Sequence, residues 1–282
     1  MCYENGGTVD DLLVYKMGEN DFFLVINAAN IDKDWAWMQQ QAEGFDIDLQ
    51  NRSDFYGQIA VQGPESEHVV ETVLGLPCAE LTFYTCKTIL SPLTSHLSPQ
   101  EIIISRTGYT GEDGFEIYAS HDYIRECWDK LMAAGVQACG LGCRDTLRFE
   151  VGLPLYGDEL SEEITPVMAG LTMFVKFDKP EFIGREALLK QKTDGPVKKL
   201  VGIELSDKAI PRHGYTVLNM EGEPIGEVTT GYHTLSTDKS VCMALIDSRY
   251  SKLDTEVQIQ IRKKVFPGKV VRKQFYNKSY KK

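Results

Sequence analysis

Two consecutive acids, Asp10-Asp11, stand in a β-branched and aliphatic run from Thr8 to Tyr15. In an extended strand, neighbouring side chains point to opposite faces. Val9, Asp11, Leu13 and Tyr15 then share one face, and Thr8, Asp10, Leu12 and Val14 share the other. Whichever face is buried carries a carboxylate among apolar neighbours. Such a group finds hydrogen-bond donors or shifts its pKa, and both are frequent at catalytic sites. The alternative is an acid near a strand end that reaches water or caps a turn. Glu116, between Phe115 and Ile117, poses the same question. Simple alternation in a half-exposed antiparallel strand turns it to solvent. Arg144-Asp145 and Arg148-Glu150 start a helix after a glycine-rich turn. That pattern suits a surface salt-bridge network, or a guanidinium forming two parallel hydrogen bonds with a planar acceptor.

Other chemistries are disfavoured. The loop Gly108-Tyr109-Thr110-Gly111-Glu112-Asp113-Gly114 lacks the spacing and the lysine of a phosphate-binding loop, and it joins two strands rather than opening a helix. Gly140-Leu141-Gly142 has no third glycine at dinucleotide-binding spacing. Cys139 and Cys143 are four apart with no second pair, and the five histidines are scattered, so no metal is expected. No Gly-x-Ser-x-Gly elbow is present to support a serine hydrolase.

The elements that must position these groups change character along the chain. Asn5-Gly6 and Gly18-Glu19-Asn20-Asp21 are turn signals, and the second leads into a strand from Phe22 to Ile26. A helix follows with Asn30 as N-cap and Gly44 as stop, its Trp35, Met38 and Ala42 at helical spacing. Beyond Tyr56 the pattern alternates: a strand at Gln58 to Val61, a helix from Pro64 to about Leu74, strands at Glu101 to Arg106 and Gly114 to Ala119, then a helix from about Tyr123 to Ala134. Another helix begins near Arg144. After Asp194-Gly195-Pro196 come short strands and glycine-rich turns from Leu200 to Ile261, which predict a separate all-β barrel or sandwich.

A chain of 282 residues suits two or three domains. No apolar run is long enough to span a bilayer, and Met1 to Gly7 has neither the basic patch nor the apolar stretch of a secretory signal. Seven cysteines without close-set pairs fit reduced thiols, so a cytoplasmic location is expected. From Arg262 to Lys282 there are nine basic residues and no acid, leaving 21 basic against 41 acidic residues elsewhere. The acidic body argues against general nucleic-acid binding. The basic tail suits an anionic ligand, a nucleic acid or an acidic partner, or simply a solvated edge strand.

Several segments, in order, resemble the T-protein family of the glycine cleavage system, the aminomethyltransferases. They are Asn5-Gly6-Gly7-Thr8-Val9-Asp10-Asp11-Leu12, Val25-Ile26-Asn27-Ala28-Ala29-Asn30, Arg106 to Glu116, Arg144 to Glu150 and Gly152-Leu153-Pro154-Leu155-Tyr156-Gly157. Ile164-Thr165-Pro166, Phe182-Ile183-Gly184-Arg185 and Ile225 to Gly231 continue the series, so the likeness covers essentially the whole chain. The resemblance implies an α+β fold, a three-domain cloverleaf around a folate channel. Residues 1–50 with 140–195 would form a folate-binding part, 51–139 an α+β domain and 196–282 a C-terminal β-barrel. It implies transfer of the aminomethyl carbon from the lipoyl arm of H-protein to tetrahydrofolate, releasing ammonia. Tetrahydrofolate would be a cosubstrate, and no metal or membrane is implied.

The same resemblance assigns roles. Asp11 would stabilise positive charge developing near the reactive folate nitrogen. Val25, through its backbone, and Asn27 would line the pterin pocket. Glu116 would accept hydrogen bonds from the pterin, Tyr109 would pack near it, and Arg144 would bind the polar side of the folate. Tyr280 matches a tyrosine that reaches the folate. Family members carry several dozen residues ahead of the position of Met1, including a Phe-Asp-Val-Ser-His-Met-Gly motif. Either this start lies at an internal methionine or the chain is N-terminally truncated, and for the chain as it stands impaired folate binding or activity is expected. A folate-dependent demethylase, a non-catalytic folate-binding protein and an inactive fragment remain alternatives.

Overall fold

The computed structural model describes residues 1–90 and 101–278. Contacts divide them into two units: Leu13–Leu147 with Lys278, and Met1–Leu12 with Arg148–Asn277. We call the first the sheet unit and the second the barrel unit.

The sheet unit opens with an antiparallel hairpin, β1 (Leu13–Lys16) and β2 (Phe22–Val25), with Leu13 opposite Val25. Its turn closes where Met17 and Gly18 donate backbone N–H groups to the carbonyl of Asp21. The helix α1 (Ile31–Ala42) has Asn30 at its N-cap position, and Gly44 follows its end with a left-handed φ of 86°. Next come β3 (Tyr56–Gln62), α2 (Ser66–Val73), β4 (Cys86–Leu90), β5 (Glu101–Ser105), β6 (Gly114–Ser120), α3 (His121–Ala133) and α4 (Leu141–Glu150). The last turn of α4 belongs to the barrel unit. The four strands form one antiparallel sheet in the order β3-β6-β5-β4.

Both faces of that sheet are covered. On one, Ile59, Val61, Ile102, Ile104, Phe115 and Ile117 pack against Val70 of α2 and Cys127 and Leu131 of α3. On the other, Tyr15, Phe23 and Val25 of the hairpin pack against Ile103, Tyr118 and Tyr56. Every β6 residue from Gly114 to Ala119 is therefore buried, where alternation predicts a solvent-facing Glu116. Alternation still sets which face Glu116 occupies. It does not set exposure, because the hairpin covers the polar face.

In the barrel unit, the run from Thr8 is not the strand that its composition predicts. Thr8 forms only an isolated bridge with Cys2, and regular pairing starts at Leu13. The backbone is drawn elsewhere: Thr8 donates its N–H to Ser161 and Val9 donates to Met1. After α5 (Arg185–Asp194) come β7 (Lys198–Leu205), β8 (Thr216–Leu218), β9 (Pro224–His233), β10 (Ser240–Asp247), β11 (Glu256–Ile261) and β12 (Lys264–Val271). They close into a barrel in the order β10-β7-β12-β11-β8-β9, around a core of Ile203, Val228, Ala244, Ile246, Val257 and Ile259. The predicted all-β C-terminal part is thus a barrel. Its basic strand is not an edge. β12 pairs with both β11 and β7, while Lys264 and Lys269 stay exposed.

Candidate functional site

In the sheet unit, the site grows from the loop between β5 and β6. Arg106 and Asp113, at its two ends, are both buried and joined as a fork: Nε donates to Oδ1 at 2.9 Å and Nη2 to Oδ2 at 2.6 Å. Glu67 takes a further bond from Nη2 at 2.8 Å, and the Leu81 carbonyl accepts from Nη1. Such bidentate pairs fix orientation as well as distance. The glycines that suggest a phosphate cradle have another cause. Gln62 lies across the loop, donating to the Thr107 carbonyl and accepting from the Thr110 hydroxyl. A Cβ at Gly108 would sit 1.8 Å from Gln62 Oε1, and one at Gly114 would sit 2.4 Å from its Cδ. The glycines make room for a side chain of the protein itself.

Glu116 leaves this loop on β6, with 8% of its surface exposed. Gln58 Nε2 donates to its Oε1 at 2.7 Å and the Thr107 hydroxyl donates to its Oε2 at 2.6 Å. Each oxygen keeps a second lone pair, so the carboxylate can take a further donor on either side. Tyr118, two residues on, lies in the same face, and burial, followed by the negative Glu116, raises its hydroxyl pKa far above the ordinary value. Val25 packs into the cluster over that face. Asn27 precedes the turn Ala28–Asn30, and its carbonyl accepts from the Asn30 N–H at 2.9 Å.

Tyr109 and Arg144 meet directly. The Arg144 guanidinium lies 4.4 Å from the centroid of the Tyr109 ring. Arg144 is exposed at the start of α4 and Tyr109 is half-buried. A cation over an aromatic face is worth about 0.5–1 kcal/mol at such a site. Lys278, from the basic tail, donates its ammonium to the Thr110 carbonyl at 2.6 Å. Tyr280 lies outside the described residues.

Asp10 and Asp11 belong to the barrel unit and differ in burial. Asp10 is fully buried and its Oδ1 accepts the Asp11 N–H at 3.0 Å. Asp11 is only half-buried, so a ligand can reach it and not its neighbour.

Three polar groups escape a sequence reading. Asp34 of α1 is fully buried beside Lys33 at 2.9 Å. The signal for it exists: Asp34 stands three residues after Ile31 and four before Met38, on the apolar stripe of the helix. The Arg106–Asp113 clamp has no local signal, because its partners stand seven apart across a turn. Arg148 is fully buried rather than part of a surface network. It bonds Glu159 Oε2 at 2.7 Å, and Glu159 Oε1 accepts from Thr229 and Thr230. Among the described residues, no group of three or more His, Cys, Asp or Glu could hold a metal ion, and no helix is long and apolar enough to cross a membrane.

Comparison with known proteins gives concordant matches. Residues 1–179 match the family described as the GCVT N-terminal domain, and residues 198–277 match the glycine cleavage T-protein C-terminal barrel domain. An aminomethyltransferase of Thermoanaerobacter sp. is 48% identical over 286 residues, covering all of this chain and 76% of the relative. One from Lysinibacillus sphaericus is 47% identical, covering 99% of this chain and 76% of the relative. The crystal structure of glycine cleavage system aminomethyltransferase T from Bartonella henselae superposes with a TM-score of 0.87 at 32% identity, over 98% of this chain and 74% of that one.

Proposed function

The chain belongs to the T-protein aminomethyltransferase family of the glycine cleavage system, and from that premise we propose how its residues serve the reaction. It is a transferase that moves the aminomethyl carbon of glycine cleavage and releases ammonia. We infer that tetrahydrofolate is the acceptor and cosubstrate, that lipoylated H-protein is the donor partner, and that the enzyme works in the cytoplasm.

The observation that carries the acceptor assignment is Glu116. A buried carboxylate on a rigid strand, held on both oxygens yet with acceptor capacity left on each, suits the donor-rich edge of a pterin. Val25 and Asn27 line the pterin side. Tyr109 and Arg144, already stacked, give the polar part of the folate an aromatic face and a cation. The family resemblance assigns Tyr280, outside the described residues, to the same ligand. Asp11 stabilises positive charge developing as the carbon is transferred, since a fixed carboxylate acts more strongly in a dry site than in water. The division into 1–50 with 140–195, 51–139 and 196–282 belongs to the same reading.

Glu116→Gln is the test. It replaces an acceptor with a donor and removes a charge. Hydrogen bonds to charged groups contribute about 1.5–3 kcal/mol, so tetrahydrofolate affinity should fall roughly ten- to a hundredfold by calorimetric titration. Unchanged affinity would remove Glu116 from the pterin site. Turnover with aminomethylated, lipoylated H-protein, and none with free methylated amines or sulfonium compounds, separates this reading from a demethylase.

A further inference from the structure

Behind Glu116 lies a row of buried hydroxyls whose proton directions can be worked out. Ser105 and Thr107 are 2.6 Å apart. The Tyr15 hydroxyl lies 2.9 Å from Ser105, 3.1 Å from Thr107 and 3.4 Å from the Tyr118 hydroxyl. All four residues are at most 4% exposed. A hydroxyl has one proton to donate. The carboxylate can only accept, so Thr107 spends its proton on Glu116 Oε2. Thr107 must then accept from Ser105, and Ser105 from Tyr15, which leaves Tyr118 to donate to Tyr15. The competing acceptor for Ser105, the Glu116 carbonyl at 3.5 Å, is much the longer contact. Burial, with the charge of Glu116 adding to it, raises the pKa of both phenols, so both keep the protons they donate. Each link polarises the next, and the chain ends on the carboxylate.

We propose that Thr107, at the head of this one-way chain, and Gln58, on the opposite oxygen, are positioning residues that hold Glu116 as a pure acceptor aimed at the folate. Neither has to touch the ligand. Tyr15 connects the device to the hairpin: the strand pair that carries Val25 over the sheet also carries the phenol that starts the relay on Ser105. Hairpin docking and orientation of Glu116 are thereby one event within the sheet unit.

This rests on Glu116 binding the pterin, and the experiment separates the two. Tetrahydrofolate KM, kcat and calorimetric affinity are measured for Thr107→Val, Thr107→Ser, Gln58→Ala and Glu116→Gln. Thr107→Val keeps the shape and removes the proton. It should raise KM roughly tenfold, as expected for one lost bond to a charged group, and leave kcat unchanged. Thr107→Ser should restore wild-type KM, which a purely steric role would not. Gln58→Ala is at an exposed strand position and does not threaten folding. It should shift KM in the same direction by a smaller factor. If Glu116→Gln binds normally, the pterin reading fails. If Glu116→Gln loses affinity while Thr107→Val matches Thr107→Ser, the positioning role fails and the pterin reading stands. If Thr107→Val does not fold, a wild-type KM for Gln58→Ala overturns the proposal.

Discussion

Glu159→Ala should lower the melting temperature by roughly 6–20 °C. Arg148 and Glu159 are both fully buried and bonded at 2.7 Å. The carboxylate also accepts the Leu155 N–H at 3.0 Å and the hydroxyls of Thr229 and Thr230, each at 2.6 Å. It therefore joins the segment after α4 to strand β9 inside the barrel unit. Alanine at position 159 leaves a buried guanidinium charge without its close carboxylate partner: the Leu153 carbonyl and the Thr230 hydroxyl are neutral, and the Asp158 carboxylate is 3.8 Å away. Breaking a buried pair in this way costs about 3–5 kcal/mol. For units of roughly 150–250 residues, each kcal/mol moves the midpoint by about 2–4 °C. The control is Lys190→Ala, which breaks an exposed i,i+4 pair with Asp194 and should be nearly silent in calorimetry. A Glu159→Ala melt within the scatter of that control would mean that the pair is dispensable.

Asp11→Asn should reduce turnover by about 10²–10³ at saturating folate and donor, with little change in melting temperature. That range is the usual cost of removing one preorganised group that meets charge in the transition state. Asparagine keeps the size, removes the charge and turns one acceptor oxygen into a donor. Asp10→Asn should do the reverse. Its carboxylate is fully buried and accepts a backbone N–H, so its loss should appear chiefly as instability. Single-turnover kinetics on both variants decide the matter. Full turnover in Asp11→Asn would move the charge-stabilising role to another residue.

Local chemistry was legible where local forces decide. The helix ends at Asn30 and Gly44, the strands around the glycine-rich loop and five of the six barrel strands follow from caps, turns and period. For the sixth, β12, the basic run with Lys264 and Lys269 suits an anionic ligand, a partner or a solvated edge strand. Only the pairing of its two sides with β11 and β7 makes it internal. Asp11 and Glu116 stand out as acids among apolar neighbours, but their environments do not. That a hairpin ninety residues upstream covers the polar face of β6 is a long-range packing fact. The same holds for Arg148, whose partner strand lies some eighty residues away. Pairwise neighbours in sequence carry no record of such encounters. Gly108 and Gly114 are the opposite case: a strong local signal, rightly not read as a phosphate loop, whose cause, the crossing of Gln62, comes from another strand.

The pairing of β7 with β12 has a consequence for biosynthesis. The first and last staves of the barrel are neighbours, with Leu205 opposite Gly268 and Gly202 opposite Val271. A nascent chain halted before Lys264 presents two unsatisfied strand margins, on β7 and on β11, and these are the surfaces along which polypeptides associate wrongly. Closure must wait for the arrival of residues 264–271. Nonsense lesions just upstream should therefore yield a protein cleared by cellular quality control, although every residue of the sheet unit up to Leu147 has already been made.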